Sequence, residues 1–200
     1  MQSTKAWTRS RAIDDAGRLA PSHRGRQAAA QESTIEPMLE GLAPVIAPDA
    51  RLVVLGSFPG VASLAAQQYY GHPRNNLWRL LSTLWSEDLV ALAYPERLEV
   101  LRRRGLGLWD VYRGCEREGS LDSAIRASVP NDLALLKRLA PGLRAVAHNG
   151  AESARSRRIT EALGLDVHTL PSTSPANAAW SFERKLAAWR EVFSRYDLVS

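Results

Sequence analysis

Four short apolar runs, alternating with stretches of helical periodicity, constrain this chain more tightly than anything else in it. Arg51–Gly56, Gly105–Val111, Leu143–His148 and Asp166–Leu170 are short, continuous and bounded by turn residues or polar residues, the pattern of strands buried on both faces. Around them lie Asn75–Trp85, with Leu77, Trp78, Leu80, Leu81 and Leu84 at helical spacing, and the amphipathic segments Pro95–Arg104, Asn131–Ala140, Ala151–Leu163 and Asn177–Arg195. Asn131 or Asp132 is placed to cap its helix, Pro141-Gly142 to stop it, and Gly164 to end the next one. Strands separated by helices are joined by right-handed crossovers, so the expected fold is α/β, with a central parallel four-stranded sheet covered on both sides. In that architecture ligands bind beyond the carboxyl ends of the strands. Four loops therefore matter most: 56–75, 110–122, 148–152 and 170–178.

Composition removes several function classes. At 200 residues and 45% apolar, with six tryptophans, the chain can build one proper core. No window approaches eighteen uninterrupted apolar residues, so no membrane span is expected. The single Cys115 excludes a disulfide framework, and with only His23, His72, His148 and His168 beside it no Cys/His metal cluster is expected. The amino terminus is polar and Arg-bearing, without the apolar segment of a secretory signal. The expectation is a monomeric, cytoplasmic protein associated with the nucleoid, needing neither metal nor cofactor. All but Lys5, Lys137 and Lys185 of its 26 basic residues are arginine, and the formal net charge is +5. That balance suits a polyanionic partner, and equally reflects what a GC-rich genome writes. Residues 1–36 carry six cations and only Trp7, Ile13, Leu19 and Ile35 as large apolar side chains, so they read as a disordered basic arm before a folded domain over 37–200. The arm is compatible with non-specific contact to DNA and with an inert extension.

The loops carry the chemistry. Gly56-Ser57-Phe58-Pro59-Gly60 ends a strand with exposed backbone N–H groups, but lacks the Gly-Lys-Ser/Thr of a phosphate loop and the spacing of a dinucleotide fingerprint. Taken alone, a tight strand-to-helix turn is the plainer account of it. Ala147-His148-Asn149-Gly150 puts a carboxamide at a strand end, and Pro171-Ser172-Thr173-Ser174-Pro175-Ala176-Asn177 is a rigid, hydroxyl-rich turn suited to phosphate oxygens. No nucleophile elbow is present, nor the paired carboxylates of a sugar hydrolase.

Six segments in order carry a resemblance: Leu55-Gly-Ser-Phe-Pro-Gly60, Tyr70-Gly-His-Pro-Arg-Asn75-x-x-Trp78, Trp109-Asp110-Val111, Cys115-x-Arg117-x-Gly-Ser120-x-Asp122-x-x-Ile125, His148-Asn-Gly150 and Leu170-Pro-Ser-x-Ser-Pro175. Over about residues 38–196 the chain resembles the hypoxanthine-DNA (deoxyinosine) glycosylase branch of the uracil-DNA glycosylase superfamily. The second segment is also similar to the mismatch-specific uracil glycosylases. The resemblance implies a three-layer α/β/α fold and a metal-independent, monofunctional glycosylase that releases a deaminated base from single- or double-stranded DNA in base excision repair. It implies that Asn75 and Asn149 carry the activity and that Pro171–Asn177 is the wedge loop. Uracil-processing members usually have Asp or Asn where this chain has Phe58, a departure that favours a deaminated purine over uracil.

On that footing Tyr70 stacks on the everted base, although core packing beside Trp78 fits it as well. Asn149 offers a donor and an acceptor to the N1–H and O6 of hypoxanthine, with backbone groups of Ser57 and Phe58 fixing its amide. Asn75 positions water or a substrate oxygen, or simply caps a helix. Gly56, Pro59, Gly60, Pro171, Ser172, Thr173, Ser174, Pro175 and Asn177 are the candidate DNA contacts. Asp110, Ser120 and Asp122 are assigned to holding the second loop, and His72 and His148 to structure. None of the three lysines falls in a catalytic loop, so no lyase step is expected. The rival readings are a uracil or mismatch-specific glycosylase, a weakly active damaged-DNA-binding module, and an enzyme of free nucleosides or nucleotides.

Overall fold

The computed structural model describes residues 38–199, so the basic arm expected over 1–36 lies outside the described residues. Strands β2 (Leu52–Gly56), β3 (Leu106–Asp110), β6 (Ala145–Asn149) and β7 (Asp166–Leu170) form a sheet in the order β3-β2-β6-β7. Every neighbouring pair is parallel, in the register Leu52↔Leu106, Leu52↔Ala145 and Ala145↔Asp166. The apolar runs are continuous because alternate residues face two different cores. Leu52 and Val54 pack with Leu106, Leu108, Ala145 and Ala147 under α2 (Leu77–Trp85), α3 (Tyr94–Arg104) and α7 (Phe182–Arg195). Val53, Leu55 and Val146 face the opposite layer, with Leu136 of α4 (Leu135–Leu139) and Leu133, Ala140 and Leu143 around it. Each fully buried Leu or Val contributes about 1.5–3 kcal/mol relative to exposure. The result is a three-layer α/β/α fold, as the alternation of runs requires.

A second, antiparallel sheet departs from expectation. The stretch 110–122, read as a connecting loop, contains β4 (Tyr112–Glu116), which pairs with β1 (Leu39–Glu40) and with β5 (Arg126–Pro130). Its sequence, Tyr-Arg-Gly-Cys-Glu, has no clean alternation, and its partner strand is mostly exposed, so the strand signal is weak. Pairing from distant β1 supplies what local pattern does not. Helix boundaries also shift. A short α1 (Val61–Ala66) forms within the first loop, and the segment 151–163 divides into α5 (Ala151–Ala154) and α6 (Arg157–Glu161), where bonds at Arg155 and Ser156 tighten to i→i+3. The segment 131–140 yields helix only from Leu135. Asp132 Oδ1 accepts from the Ala134 N–H, while Asn131 instead donates its side-chain N–H to the Asp110 carbonyl. The last helix begins at Phe182, capped by Ser181, rather than at Asn177. A turn at Ser174–Asn177 and the bond from Lys185 Nζ to the Asn177 carbonyl (2.9 Å) hold that stretch outside the helix. No described helix is long and apolar enough to cross a membrane.

Candidate active site

The carboxyl ends of the parallel strands open onto a cavity of about 810 Å³. Residues from all four loops line it: Gly56, Ser57, Phe58, Pro59 and Gly60 after β2, Asn149 at the end of β6, and Pro171, Ser172, Thr173, Ser174, Pro175 and Asn177 after β7. Tyr70, His72 and Asn75 line it from the segment between α1 and α2, and Asp110, Ser120 and Asp122 from the second loop. Every site residue named from the sequence therefore stands around one space, of a size that suits a single small ligand or an everted nucleotide.

Asn149 is held on every side. Its Oδ1 accepts from the Thr173 N–H (2.9 Å), while Nδ2 donates to the Thr173 hydroxyl (2.9 Å) and the Tyr70 hydroxyl (3.2 Å). A backbone N–H can only donate, so Thr173 fixes which end of the amide is oxygen. The backbone groups of Ser57 and Phe58, expected to do this, are not its partners. The neighbouring Gly150 adopts φ +104°, and a Cβ there would lie 2.9 Å from Ser172 Cβ, so glycine lets β6 and the fourth loop meet. Asn75 uses Oδ1 to accept from the Leu77 N–H (2.9 Å), an Asx turn just ahead of α2, and its Nδ2 is left available at the cavity wall. The helix-entry role and a site role thus share one side chain.

Tyr70 combines the two readings offered for it, since it packs against the core that holds Trp78 and also lines the cavity. Its neighbour Tyr69 is buried more deeply, and its carbonyl accepts from the Trp78 indole N–H (3.2 Å). Tyr70 faces the cavity in a left-handed backbone conformation (φ +55°), an unfavourable state for a tyrosine that its surroundings hold in place. Burial, then the nearby Asp110, keeps its phenol well above the ordinary range, hence neutral.

The loops brace one another. Ser57 Oγ donates to Asp122 Oδ1 (2.6 Å), Ser120 Oγ accepts from the Val61 N–H (2.9 Å), and the Asn76 N–H donates to the Thr173 carbonyl (2.9 Å). Lys185 and the Trp189 indole hold both ends of the fourth loop, at the Asn177 and Pro171 carbonyls. Phe58 is buried, with the Arg117 guanidinium 5.1 Å from its ring centre, and the same Arg117 donates to the Pro59 carbonyl. Because α7 starts at Phe182, the hydroxyls and N–H groups of 171–177 form a free-standing turn rather than a helix amino terminus.

His148 belongs to the core, where its ring nitrogens meet Ser153 Oγ (2.8 Å) and Thr160 Oγ1 (3.1 Å). Burial, assisted by Arg157, lowers its pKa to about 4, so it is neutral at pH 7. Asp110 behaves differently. It ends β3, lines the cavity, is only 4% exposed, and its Oδ2 has no hydrogen-bond partner. Burial, then the charge of Asp122, raises its pKa to about 7 against the opposing pull of Arg117.

Comparison with known proteins decides the family. A family model described as the Uracil DNA glycosylase superfamily matches residues 43–193. The chain belongs to that superfamily. Among its relatives, a hypoxanthine DNA glycosylase of Methanosarcina barkeri (strain Fusaro / DSM 804) is 40% identical over 156 residues, covering 78% of this chain and 98% of the relative. A second protein of that name, from Methanosarcina acetivorans, is 37% identical, covering 76% of this chain and 96% of its own length. The solution NMR structure of a candidate uracil DNA glycosylase from Methanosarcina acetivorans superposes with a TM-score of 0.73 at 35% identity, spanning 80% of this chain and 99% of the other.

Sequence reasoning underrated Asp110 in this superfamily fold. The Trp109-Asp110-Val111 segment was visible, but an Asp at a strand end more often makes local hydrogen bonds. Only the tertiary neighbours reveal that one oxygen makes none. Leu121, 56% exposed, and Trp180, 37% exposed, also stand at the cavity wall without a mark in the sequence. Their signal is the exposure of large apolar side chains, which a sequence does not display.

Proposed function

We propose that this chain is a monofunctional DNA glycosylase that releases hypoxanthine from deoxyinosine by hydrolysis. The observation that carries the reading is the cavity wall itself: two carboxamides, Asn75 and Asn149, share it with a rigid hydroxyl-rich loop. The reading gains support from the relatives named hypoxanthine DNA glycosylases.

The fixed amide of Asn149 suits this base. Its Oδ1 keeps a second lone pair for N1–H, and its Nδ2 can trade its longest bond, to the Tyr70 hydroxyl, for the O6 of hypoxanthine. Adenine presents the reverse pattern and would need the amide turned over. The Thr173 N–H opposes that inversion, because it would then face an NH₂ group. Tyr70 supplies a ring beside the same edge. The 171–177 turn presses on the DNA backbone and fills the vacated stack, offsetting an extrusion cost of a few kcal/mol. Bond cleavage leaves positive charge on the sugar and negative charge on the base, and preorganised dipoles around the base stabilise the latter. The Nδ2 of Asn75 can hold a water or substrate oxygen, but its amide is not basic enough to take the proton.

A lyase step needs a free amine at the sugar. Neither Lys137 nor Lys185 lines the cavity, and Lys185 Nζ is engaged with the Asn177 carbonyl. Among the described residues no lysine lines the cavity, which supports release of the base to leave an abasic site. The apolar Phe58 favours one other reading, a damaged-DNA-binding module of low activity. A single-turnover base-release screen across duplexes containing hypoxanthine, uracil, xanthine or alkylated purines separates the two. Fastest release is expected for hypoxanthine, and DNA binding without release of any base overturns the enzymatic reading.

A further inference from the structure

The attacking water needs a proton acceptor, and none of the residues assigned from the sequence to catalysis, base binding or DNA contact supplies one. Phe58 puts an apolar ring into the first loop, and Asn75 and Asn149 are neutral amides. Two carboxylates nevertheless line the cavity, and of these Asp122 is engaged by the Ser57 hydroxyl (2.6 Å) while Asp110 has an oxygen without a partner. The geometry points to Asp110 as the general base that takes the proton from the attacking water, supplied by the neighbouring strand β3 in place of the group missing after β2. This deepens the glycosylase reading and rests on it.

Three features of the structure carry the assignment. Asp110 is paired in register with Gly56, and a Cβ on Gly56 would lie 2.3 Å from Asp110 Oδ1 and 3.3 Å from the Tyr70 hydroxyl. The absence of a side chain at position 56 thus lets the carboxylate lie across the strand end, beside the hydroxyl that contacts Asn149. The backbone of Asp110 is fixed on both sides of the carboxylate, by the Val111 N–H to the Gly56 carbonyl (2.9 Å) and by Asn131 Nδ2 to the Asp110 carbonyl (2.9 Å). Asp110 lines the cavity wall, and its buried Oδ2 has no partner within the described residues, an arrangement that costs stability unless a ligand or water uses it.

The surroundings set its basicity. Burial and the facing carboxylate of Asp122 push its pKa up, to about 7, and Arg117, from the end of β4, partly counters them. Tyr69 and Tyr70, the other titratable groups packed against it, are themselves pushed up by burial and stay neutral. A carboxylate tuned near neutrality is a far better base than one at its ordinary value and is still about half ionised at pH 7. The step balances. As the bond from C1′ to the base breaks, its electron pair leaves with the purine, the water oxygen bonds to C1′, and a water proton passes to Asp110. That proton then neutralises the departing base, directly or through solvent, and Asp110 returns to its carboxylate.

The test is a single-turnover pH profile on deoxyinosine duplex, for the wild type, Asp110→Asn and Asp122→Asn. For the wild type the rate is expected to rise about tenfold per pH unit at low pH and level off near 7. Asp110→Asn should be about 10²–10⁴-fold slower and lose the inflection while still binding DNA. Asp122→Asn removes the charge that raises Asp110, so its inflection should move to lower pH. This variant keeps the assignment testable should Asp110→Asn misfold. A wild-type rate that falls with pH through this range, an Asp110→Asn variant with an unchanged profile, or an inflection unmoved in Asp122→Asn overturns the assignment. Failure of the wild type to release any base instead overturns the glycosylase reading beneath it.

Discussion

Two strand ends of the same sheet, 149 on β6 and 110 on β3, hold polar side chains in opposite ways. The amide of Asn149 spends its oxygen and both N–H groups on Thr173 and Tyr70. The carboxylate of Asp110, equally buried, leaves Oδ2 without a partner. The first arrangement fixes an orientation in advance, which is what a recognition group needs. The second leaves a buried charge poorly solvated, which destabilises the fold and is tolerated where the group has work to do on a substrate. On the proposed reading, a cavity with one of each serves both to recognise a base and to move a proton.

The largest expected effect tests the cost of the orphaned carboxylate. With a folded pKa of about 7 and an ordinary value of 3.8, the unfolded chain is ionised across that window while the folded one stays protonated. Stability contributed by this group is therefore present below the ordinary value and lost as pH rises toward 7, in total on the order of 4 kcal/mol. Asp110→Asn removes that loss but buries an amide, so a net gain of about 1–3 kcal/mol is expected at pH 8 and none at pH 4. Denaturant melts at the two pH values check it, and a variant destabilised at pH 8 would show that Asp110 is structurally satisfied after all. His148 provides an opposite slope, since its folded pKa near 4 lies below the ordinary 6.5. Its contribution is present above 6.5 and lost as pH falls toward 4, so as pH rises from 4 to 6.5 the Asp110→Asn protein should gain stability more steeply than the wild type.

On the recognition side, Asn149→Ala should slow base release about 10²–10³-fold with DNA affinity nearly unchanged. Near-normal single-turnover rates would remove Asn149 from the site. Asn75→Ala should cost about 10²-fold in rate, and because the side chain also accepts from Leu77 N–H, a lower melting temperature should accompany it. Thr173→Val deletes one acceptor of the Asn149 amide but keeps the N–H that orients it. About a tenfold loss of rate is expected, with discrimination against adenine retained. If adenine release appears in that variant, the hydroxyl and not the backbone orients the amide. The smallest effect is expected from Phe58→Asn, which should bring in or raise uracil release; unchanged uracil turnover would mean that the missing polar group is not what limits it.

Much of this was legible beforehand because the relevant signals are local. The double-faced apolar runs announce β2, β3, β6 and β7, and the glycines, prolines and amides that follow them mark the loops. The hairpin of β4 and β5 was not legible, since Tyr112–Glu116 pairs with Leu39–Glu40 more than seventy residues earlier and has little pattern of its own. Helix starts failed at Asn177 for a related reason: Lys185 and the Ser174–Asn177 turn hold that stretch away from α7, and neither contact is a propensity.

Residue types and their order thus determined the parallel core, the loops that face a ligand, and the carboxamides among them, because burial periodicity and turn chemistry act over a few residues. Which partner each polar atom finds was decided only in three dimensions. That Thr173 orients Asn149, and that Asp110 lies unpaired across Gly56, depends on side chains brought together from separate strands and loops. Hydrogen bonding and desolvation act over a few ångströms of space, whatever the distance along the chain.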